Sequence, residues 1–376
     1  MNLRRVRAIS RKEFIHIIRD PRSLALAIAI PVLLLILFGT ALTLDVDNVP
    51  LVIWDQNKSE TSRDFIRNFS NSRYFKIIGY CDSYGQLQDM IDKNKALMGM
   101  VIPVDFSKSI LANQTSPVQL LVDGSDSSTA TIATAYANSV VSTYNSRLIS
   151  RVLSRFGIEA PTIVDVRPRV WFNEDLKSRN FIIPGLIAVI MMIIAALLTS
   201  LTITREWENG TMEQLISTPV KSGELILGKF LPYFTIGVLD LLIAIAMAQF
   251  IYHIPLRGSL ILLLLLSAVF LTGAMSLGIF ISTVAKNQLM ASQLAILTTF
   301  LPAFLLSGFA YAIYNMPRPI QIVTHIVPAR YFITILKGIY LKGIGIGVLW
   351  PDVLFLMAFS FIMVTLAKSN FKKKVA

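Results

Sequence analysis

Six apolar stretches constrain this chain more than any other feature. They fall near residues 23–44, 181–204, 225–252, 259–284, 288–314 and 348–367. Each is long enough to cross a bilayer as a helix, which takes about 20 residues. Residues 260–266 and 181–198 are apolar on every face, so a helix there offers no side to water. A chain of 376 residues that is 54% hydrophobic and only 15% charged holds more apolar material than a soluble domain needs. The expectation is a polytopic α-helical membrane protein with six transmembrane helices.

The first stretch is longer than the apolar part of a signal peptide, about 7–15 residues, and no convincing cleavage site follows it. It reads as a retained anchor. Charge sets the orientation. Residues 45–179 hold 15 Lys+Arg and 15 Asp+Glu, so the 20 Lys+Arg and 8 Asp+Glu elsewhere carry the whole net charge of +12. That excess flanks spans, at Arg4, Arg5, Arg7, Arg11, Lys12, Arg19 and Arg22, and again at Lys368 and Lys372–Lys374. A nucleic-acid binder would gather it on a soluble domain instead. The positive-inside rule places both termini in the cytoplasm, with residues 45–179 outside and 205–224 inside. Cys81 is the only cysteine, so no intrachain disulfide forms.

Between the first two spans, residues 45–179 read as an inserted extracytoplasmic α/β domain. Strand candidates rich in Val and Ile lie at 50–54, 74–79, 98–102, 118–122 and 162–170. Helical stretches at 60–69, 84–93, 106–112 and 127–156 alternate with them. About 130 residues suffices for a core of its own.

A charged island, Arg205-Glu-Trp-Glu-Asn-Gly-Thr-Met-Glu-Gln-Leu-Ile-Ser-Thr-Pro219, separates two spans. Asn209-Gly210 stops one helix, because glycine tolerates the left-handed closing conformation. Thr211 reads as the N-cap of the next helix, with Gln214 completing a capping box and Glu213 in its first turn. Pro219 ends it. The result is a two-turn stub, roughly 10 Å long, with Met212, Leu215 and Ile216 on one face. Such a stub is either a handle for a second protein or a polar loop. Residues 2–19 form an amphipathic helix suited to anionic headgroups, with Leu3, Val6, Phe14 and Ile17 on one side and Arg5, Lys12 and Arg19 on another.

These stretches carry a resemblance. Arg205, Glu206, Glu208, Gly210, Thr211, Glu213 and Leu215 match an R-E-x-E-x-G-T-x-E-x-L pattern that resembles permease subunits of type-2 ABC exporters. The likeness is to the subfamily with a large external domain between the first and second spans. Lys12-Glu13 and Arg19-Asp20-Pro21 are similar to that family's entry helix. Asn180-Phe-Ile-Ile-Pro-Gly185, Phe304-Leu-Leu-Ser-Gly308 with Met316-Pro317, and Pro328-Ala-Arg-Tyr-Phe-Ile333 through Gly343 also resemble it, so the likeness covers most of the chain. It implies a coupling segment, Arg205 to Pro219 with Met212 and Gln214 included, that touches a separate ATPase.

Catalytic constellations are missing from the sequence. His16, His253 and His325 are far apart, and neither a zinc motif nor a serine-nucleophile elbow occurs. Gly223-Glu-Leu-Ile-Leu-Gly228-Lys229 imitates a phosphate-binding loop, but Phe230 stands where a magnesium-holding hydroxyl is needed. It reads as a helix start. Asp240 falls mid-span, where an ionised group costs about 2.5–3.5 kcal/mol on insertion scales. It is either part of a substrate path or a packing hydrogen bond.

The expected layout is then an interface helix 1–21, first span 22–44, external domain 45–179, second span 180–204, coupling loop 205–224, third to fifth spans 225–314, external short helices 315–347, sixth span 348–367 and a basic tail 368–376. The resemblance implies a bacterial inner-membrane exporter permease that moves drug- or lipid-like cargo. It also implies a partner ATPase that holds ATP and magnesium, a second permease (identical or similar), and a periplasmic adaptor as a further partner. No cofactor and no nucleic acid are expected on this chain. The rival readings are a membrane receptor or scaffold with a ligand-binding external domain, and a membrane-embedded enzyme.

Overall fold

The computed structural model describes residues 2–21, 25–41, 48–155, 172–173, 177–285 and 287–371. The strand expected at 162–170, Lys286 and the basic tail Lys372–Lys374 lie outside them. The chain divides into two units, Leu44–Pro168 and the remainder, and each is described by itself.

In the smaller unit, four strands form one sheet: β1 (Val49–Asp55), β2 (Phe75–Tyr80), β3 (Met98–Ile102) and β4 (Gln119–Val122), in the order β2-β1-β3-β4. β1 runs parallel to β2 and β3, and β4 runs antiparallel to β3. The parallel pairs need crossovers, which α3 (Glu60–Ser70) and α4 (Tyr84–Asp92) supply. Both faces of the sheet are covered, so β3 is buried along its whole length and reads as an unbroken apolar run, as a doubly covered strand must. Leu51, Ile53, Met98, Met100 and Ile102 pack on one side against Phe65 and Phe69 of α3, Phe106 of α5 (Phe106–Leu111) and Tyr144 of α6 (Ser127–Arg155). Val52 and Val101 meet Leu87 and Cys81 on the other. A Cβ at Gly99 would collide with Leu87.

The larger unit is helical. Its elements are α1 (Leu3–Arg19), α2 (Ile30–Ala41) behind a π-helical turn Ala25–Ala29, α7 (Ser178–Glu208), α8 (Thr211–Ser217), α9 (Ser222–Ala246) running into a π-helical turn Met247–Ile251, α10 (Leu260–Val284), α11 (Gln288–Leu305), α12 (Arg318–Thr324), α13 (Pro328–Lys337) and α14 (Ile346–Asn370). Five of these, α7, α9 with its turn, α10, α11 and α14, are long and apolar enough to cross a membrane. α12 with α13 makes a sixth only as a pair bent by 81°. α2 is apolar but shorter within the described residues.

α7 is the axis of this unit. Its most apolar window is 83% buried, against 17% for α14, because α2, α9, α10, α11 and α13 all pack on it. Lipid gives helices no hydrophobic reason to associate, so close backbones and buried hydrogen bonds hold them. At Gly278 of α10 a Cβ would come within 2.9 Å of the Ala196 Cα of α7. The Thr199 hydroxyl donates to the Met275 carbonyl at 2.9 Å, and the Ser282 hydroxyl accepts from the Ile203 and Thr204 N–H groups at 3.0 and 3.1 Å. Tyr252 donates to the Leu35 carbonyl at 2.9 Å and ties the end of α9 to α2.

Two expectations change. The fifth apolar run, 288–314, is helical only to Leu305. Gly308 takes a left-handed conformation, φ 81°, and the chain turns there. The short helices in 315–347 are not a surface feature along their length: Phe332, Ile335, Leu336, Ile339 and Tyr340 are buried in the helical core, with Phe332 stacked on Phe270 at 4.0 Å.

The lone thiol reports on the smaller unit. Cys81 is buried, and burial first, with Asp82 beside it, pushes its pKa up. Both effects deplete the reactive thiolate. Phe65→Ala removes a ring packed against Phe69, Phe106 and Tyr144 and should cost about 3–5 kcal/mol. Maleimide labelling of Cys81 in the full-length protein should then speed up by at least roughly tenfold, since reaction requires opening. An unchanged rate would show that this aromatic cluster does not hold the unit closed.

Candidate functional site

The charged island sits where α7 ends and α8 begins. Asn209 closes α7 in a helical conformation, and Gly210 turns the chain with φ 69°. Only a residue that tolerates left-handed backbone serves here. α8 is capped differently from the sequence expectation. Gly210 is its N-cap, Thr211 is its first helical residue, and no capping box forms with Gln214. The Thr211 hydroxyl instead donates back to the Glu206 carboxylate on α7. A hydroxyl donating to a carboxylate makes a charge-assisted bond, the stronger kind.

Glu206 belongs to a buried cluster of four charges. Its Oε1 accepts from Lys12 of α1 at 2.7 Å and from Lys229 of α9 at 2.9 Å. Lys229 also donates to Glu13 of α1 at 2.7 Å and to the Thr202 carbonyl of α7 at 3.2 Å. An ammonium has three protons, and each is used. Lys229 is 2% exposed, Glu13 5% and Glu206 7%, while half of the Lys12 side chain is in water. Two cations face two carboxylates, so the group is neutral as a whole. Close approach makes the geometry possible: a Cβ at Gly228 would lie 2.8 Å from Ile9 and 3.3 Å from the Val6 carbonyl, so α1 lies directly on α9.

Other charges of the island and of α1 surround this cluster. Arg205 faces Asp20 at 3.6 Å and His16 at 3.5 Å. Asp20 caps α1 in extended backbone, the conformation favoured before a proline such as Pro21. Glu208 accepts from the backbone N–H of Gln288 at 2.7 Å, and also from its side-chain amide. A carboxylate there suits the positive end of α11. Glu224 accepts from the Asn2 N–H at 2.6 Å and the Lys221 N–H at 3.0 Å, with Arg5 at 3.7 Å. Arg5 donates to the Pro219 carbonyl. α1 is therefore fastened at its start, middle and end.

The underside of α8 is apolar. Met212 is buried with Ile203, Leu225, Ile279, Ala367 and Phe371, and Leu215 packs against them. Glu213, Gln214 and Pro219 are exposed, as are Arg19 and Pro21. The side chain of Ile216 lies outside the described residues. The cluster thus gathers Lys12, Glu13, Glu206 and Thr211, and leaves Glu213 and Gln214 facing out. Asp240 is elsewhere, buried in a pocket whose other lining residues are apolar.

Lys229 is the residue that reading along the chain missed. It was visible only as the lysine of an imitation phosphate loop. Residues 223–229 form the first turns of α9, so their N–H groups enter a helix and no cradle forms. The available signal was a lone lysine entering an apolar run, a placement that demands a counter-charge.

Removing one member of a buried ionic group strands the others. Lys229→Ala should therefore destabilise the detergent-purified protein by about 3–5 kcal/mol, whereas Lys12→Ala, half in water, should cost under about 1 kcal/mol. Thermal unfolding followed by tryptophan fluorescence measures both. Equal effects would mean that Lys229 is not the hub.

Comparison with known proteins places this geometry. Residues 21–367 match a family described as "ABC-2 family transporter protein". The chain is 38% identical, over all of itself and 98% of the relative, to the "Probable multidrug ABC transporter permease YbhS" of Escherichia coli strain K12. It is 32% identical, over 99% of each chain, to the "Probable multidrug ABC transporter permease YbhR" of the same strain. A "ABC transporter G family member 20" of Dictyostelium discoideum is 24% identical over 95% of this chain but 49% of that protein. The chain belongs to the ABC-2 transporter family, as a permease subunit of an ABC exporter.

Proposed function

We propose that this permease works in an inner membrane with a second permease and two copies of a separate ATPase, and that α8 is the part the ATPase grips. The proposed cargo is hydrophobic or amphiphilic, in keeping with the multidrug naming of the relatives. Both termini and residues 205–224 face the cytoplasm, and residues 45–179 form an external α/β domain, where a periplasmic adaptor would dock. ATP and magnesium belong to the partner chain.

The observation that carries the reading is the link from α8 into the helical unit. Met212 anchors the stub from below, and Thr211 binds it to Glu206. Glu206 in turn holds Lys229 of α9, and Lys229 holds Glu13 of α1. A push on the exposed Glu213–Gln214 side of α8 therefore moves the ends of three helices together. Closely packed elements transmit such shifts because they rearrange between discrete states and do not yield continuously. α1 lies on the membrane surface in this scheme, with Arg19 and the other exposed basic side chains toward lipid headgroups.

Two experiments test the reading. Thr211→Val removes the hydroxyl and keeps the shape. It should leave expression and ATPase association near normal and lower ATP-driven export by roughly tenfold, the size of a coupling loss of about 1.4 kcal/mol. Normal export by Thr211→Val and by Glu213→Ala would count against a coupling role. For topology, single cysteines in a Cys81-free chain should react with an impermeant reagent on intact cells at position 113 and not at 209. Labelling at 209 would overturn the orientation.

A further inference from the structure

We infer that Asp240 marks a binding site for the cationic head of a lipophilic cargo, at a point where α2, α7 and α9 meet. The inference deepens the export reading and rests on it for the word cargo. Asp240 is 4% exposed, and among the described residues neither carboxylate oxygen has a hydrogen-bond partner. The pocket beside it is lined by Pro31, Val32 and Leu35 of α2, Ile187, Ile190 and Met191 of α7, and Ile243, Ala244 and Met247 of α9. Every one of these walls is hydrocarbon or thioether.

A carboxyl group in such a place needs a partner, since buried polar groups are otherwise satisfied. The packing explanation would supply that partner from a neighbouring helix, and none is present among the described residues. The partner must therefore come from outside the chain. The walls offer no donors or acceptors for a hydroxyl-rich or amide-rich molecule, and an anion would meet the carboxylate's own charge. What remains is a monovalent organic cation whose bulk is hydrocarbon: a phosphonium, a quaternary ammonium or a protonated amine. In this conformation the cavity is only about 10 Å³, room for one water, so the site is shut.

Two features bear on its opening and its depth. The π-helical turns Ala25–Ala29 and Met247–Ile251 adjoin the pocket on α2 and α9, and such turns hold one residue more than an α-helix does, often at functional sites. The pocket also lies roughly 14–20 Å along α7 from Ser178, well inside a hydrocarbon core about 30 Å thick. A cation-selective point at that depth lies on a path across the membrane.

The test uses the purified permease–ATPase complex in lipid nanodiscs, with radiolabelled tetraphenylphosphonium as the probe. Wild type should bind it, Asp240→Asn should bind at least tenfold more weakly, and Asp240→Glu should stay within a few-fold of wild type. The Asp240→Asn complex should keep the wild-type gel-filtration volume and bind the ATPase as the wild type does, which shows that the variant is folded. Equal affinity of wild type and Asp240→Asn, or no binding by wild type, overturns the inference. Failure of the wild-type complex to move bound tetraphenylphosphonium into proteoliposomes on adding ATP would count against the export reading alone, since the binding comparison decides this one.

Discussion

Lys229 is an ammonium group held almost entirely out of water, and the helical unit is arranged around keeping it satisfied. Three acceptors on two other helices surround it: Glu13 of α1, and Glu206 and the Thr202 carbonyl of α7. Taking two carboxylates and an ammonium out of water costs several kcal/mol per ion, and their mutual attraction offsets this only when the geometry is good. Small shifts of any partner are therefore penalised. α1, the end of α7 and the start of α9 are fixed to one another by charge, while apolar contact and small residues do the work elsewhere.

The same helix carries a second buried ionisable group with the opposite fate. Lys229 and Asp240 are separated by about three turns, roughly 16 Å on α9, and so lie on nearly the same face. One has every proton placed, and the other has no partner among the described residues. A rigid rotation of α9 that disturbs the first necessarily re-aims the second. Pro232, between them, leaves the ladder one N–H short and gives the helix a place to bend.

Much of this architecture was legible in one sequence. Runs of about 20 apolar residues have few solutions other than crossing lipid, and the helices α7, α9, α10 and α14 lie where those runs are. The four described strands and their intervening helices fall within a residue or two of the pattern of Val, Ile and turn residues. Less was legible wherever the deciding partner is distant. Thr211 has the chemistry of an N-cap, and local grammar could not reveal that Gly210 takes that position while the Thr211 hydroxyl donates to Glu206, a turn earlier and buried. Lys229 finds its partner 216 residues away, a separation no periodicity exposes. Phe332 and Tyr340 sit among residues that break a span, Pro328, Arg330, Lys337 and Gly338, and their burial depends on the fit of α13 against α7 and α14, which is a matter of shape. For the exposed residues of the island, Glu213 and Gln214, local grammar offered only a place in the first turn of a helix, and their coupling role came from the family resemblance.

The long-range salt bridges also bear on how the protein is made. Glu13 leaves the ribosome early, and Lys229 leaves it only after α7 and the whole of residues 45–179. Until then Glu13 has only the half-exposed Lys12 beside it, at 3.8 Å, and Lys229, once synthesised, finds Glu206 on α7 but lacks its second carboxylate unless α1 is nearby. In the proposed scheme, where α1 lies on the membrane surface, that helix waits in contact with water and then closes over α9 as it arrives. Packing of α9 is thus a step that the first twenty residues help to complete, because without them Lys229 would keep Glu206 and the Thr202 carbonyl but lose Glu13.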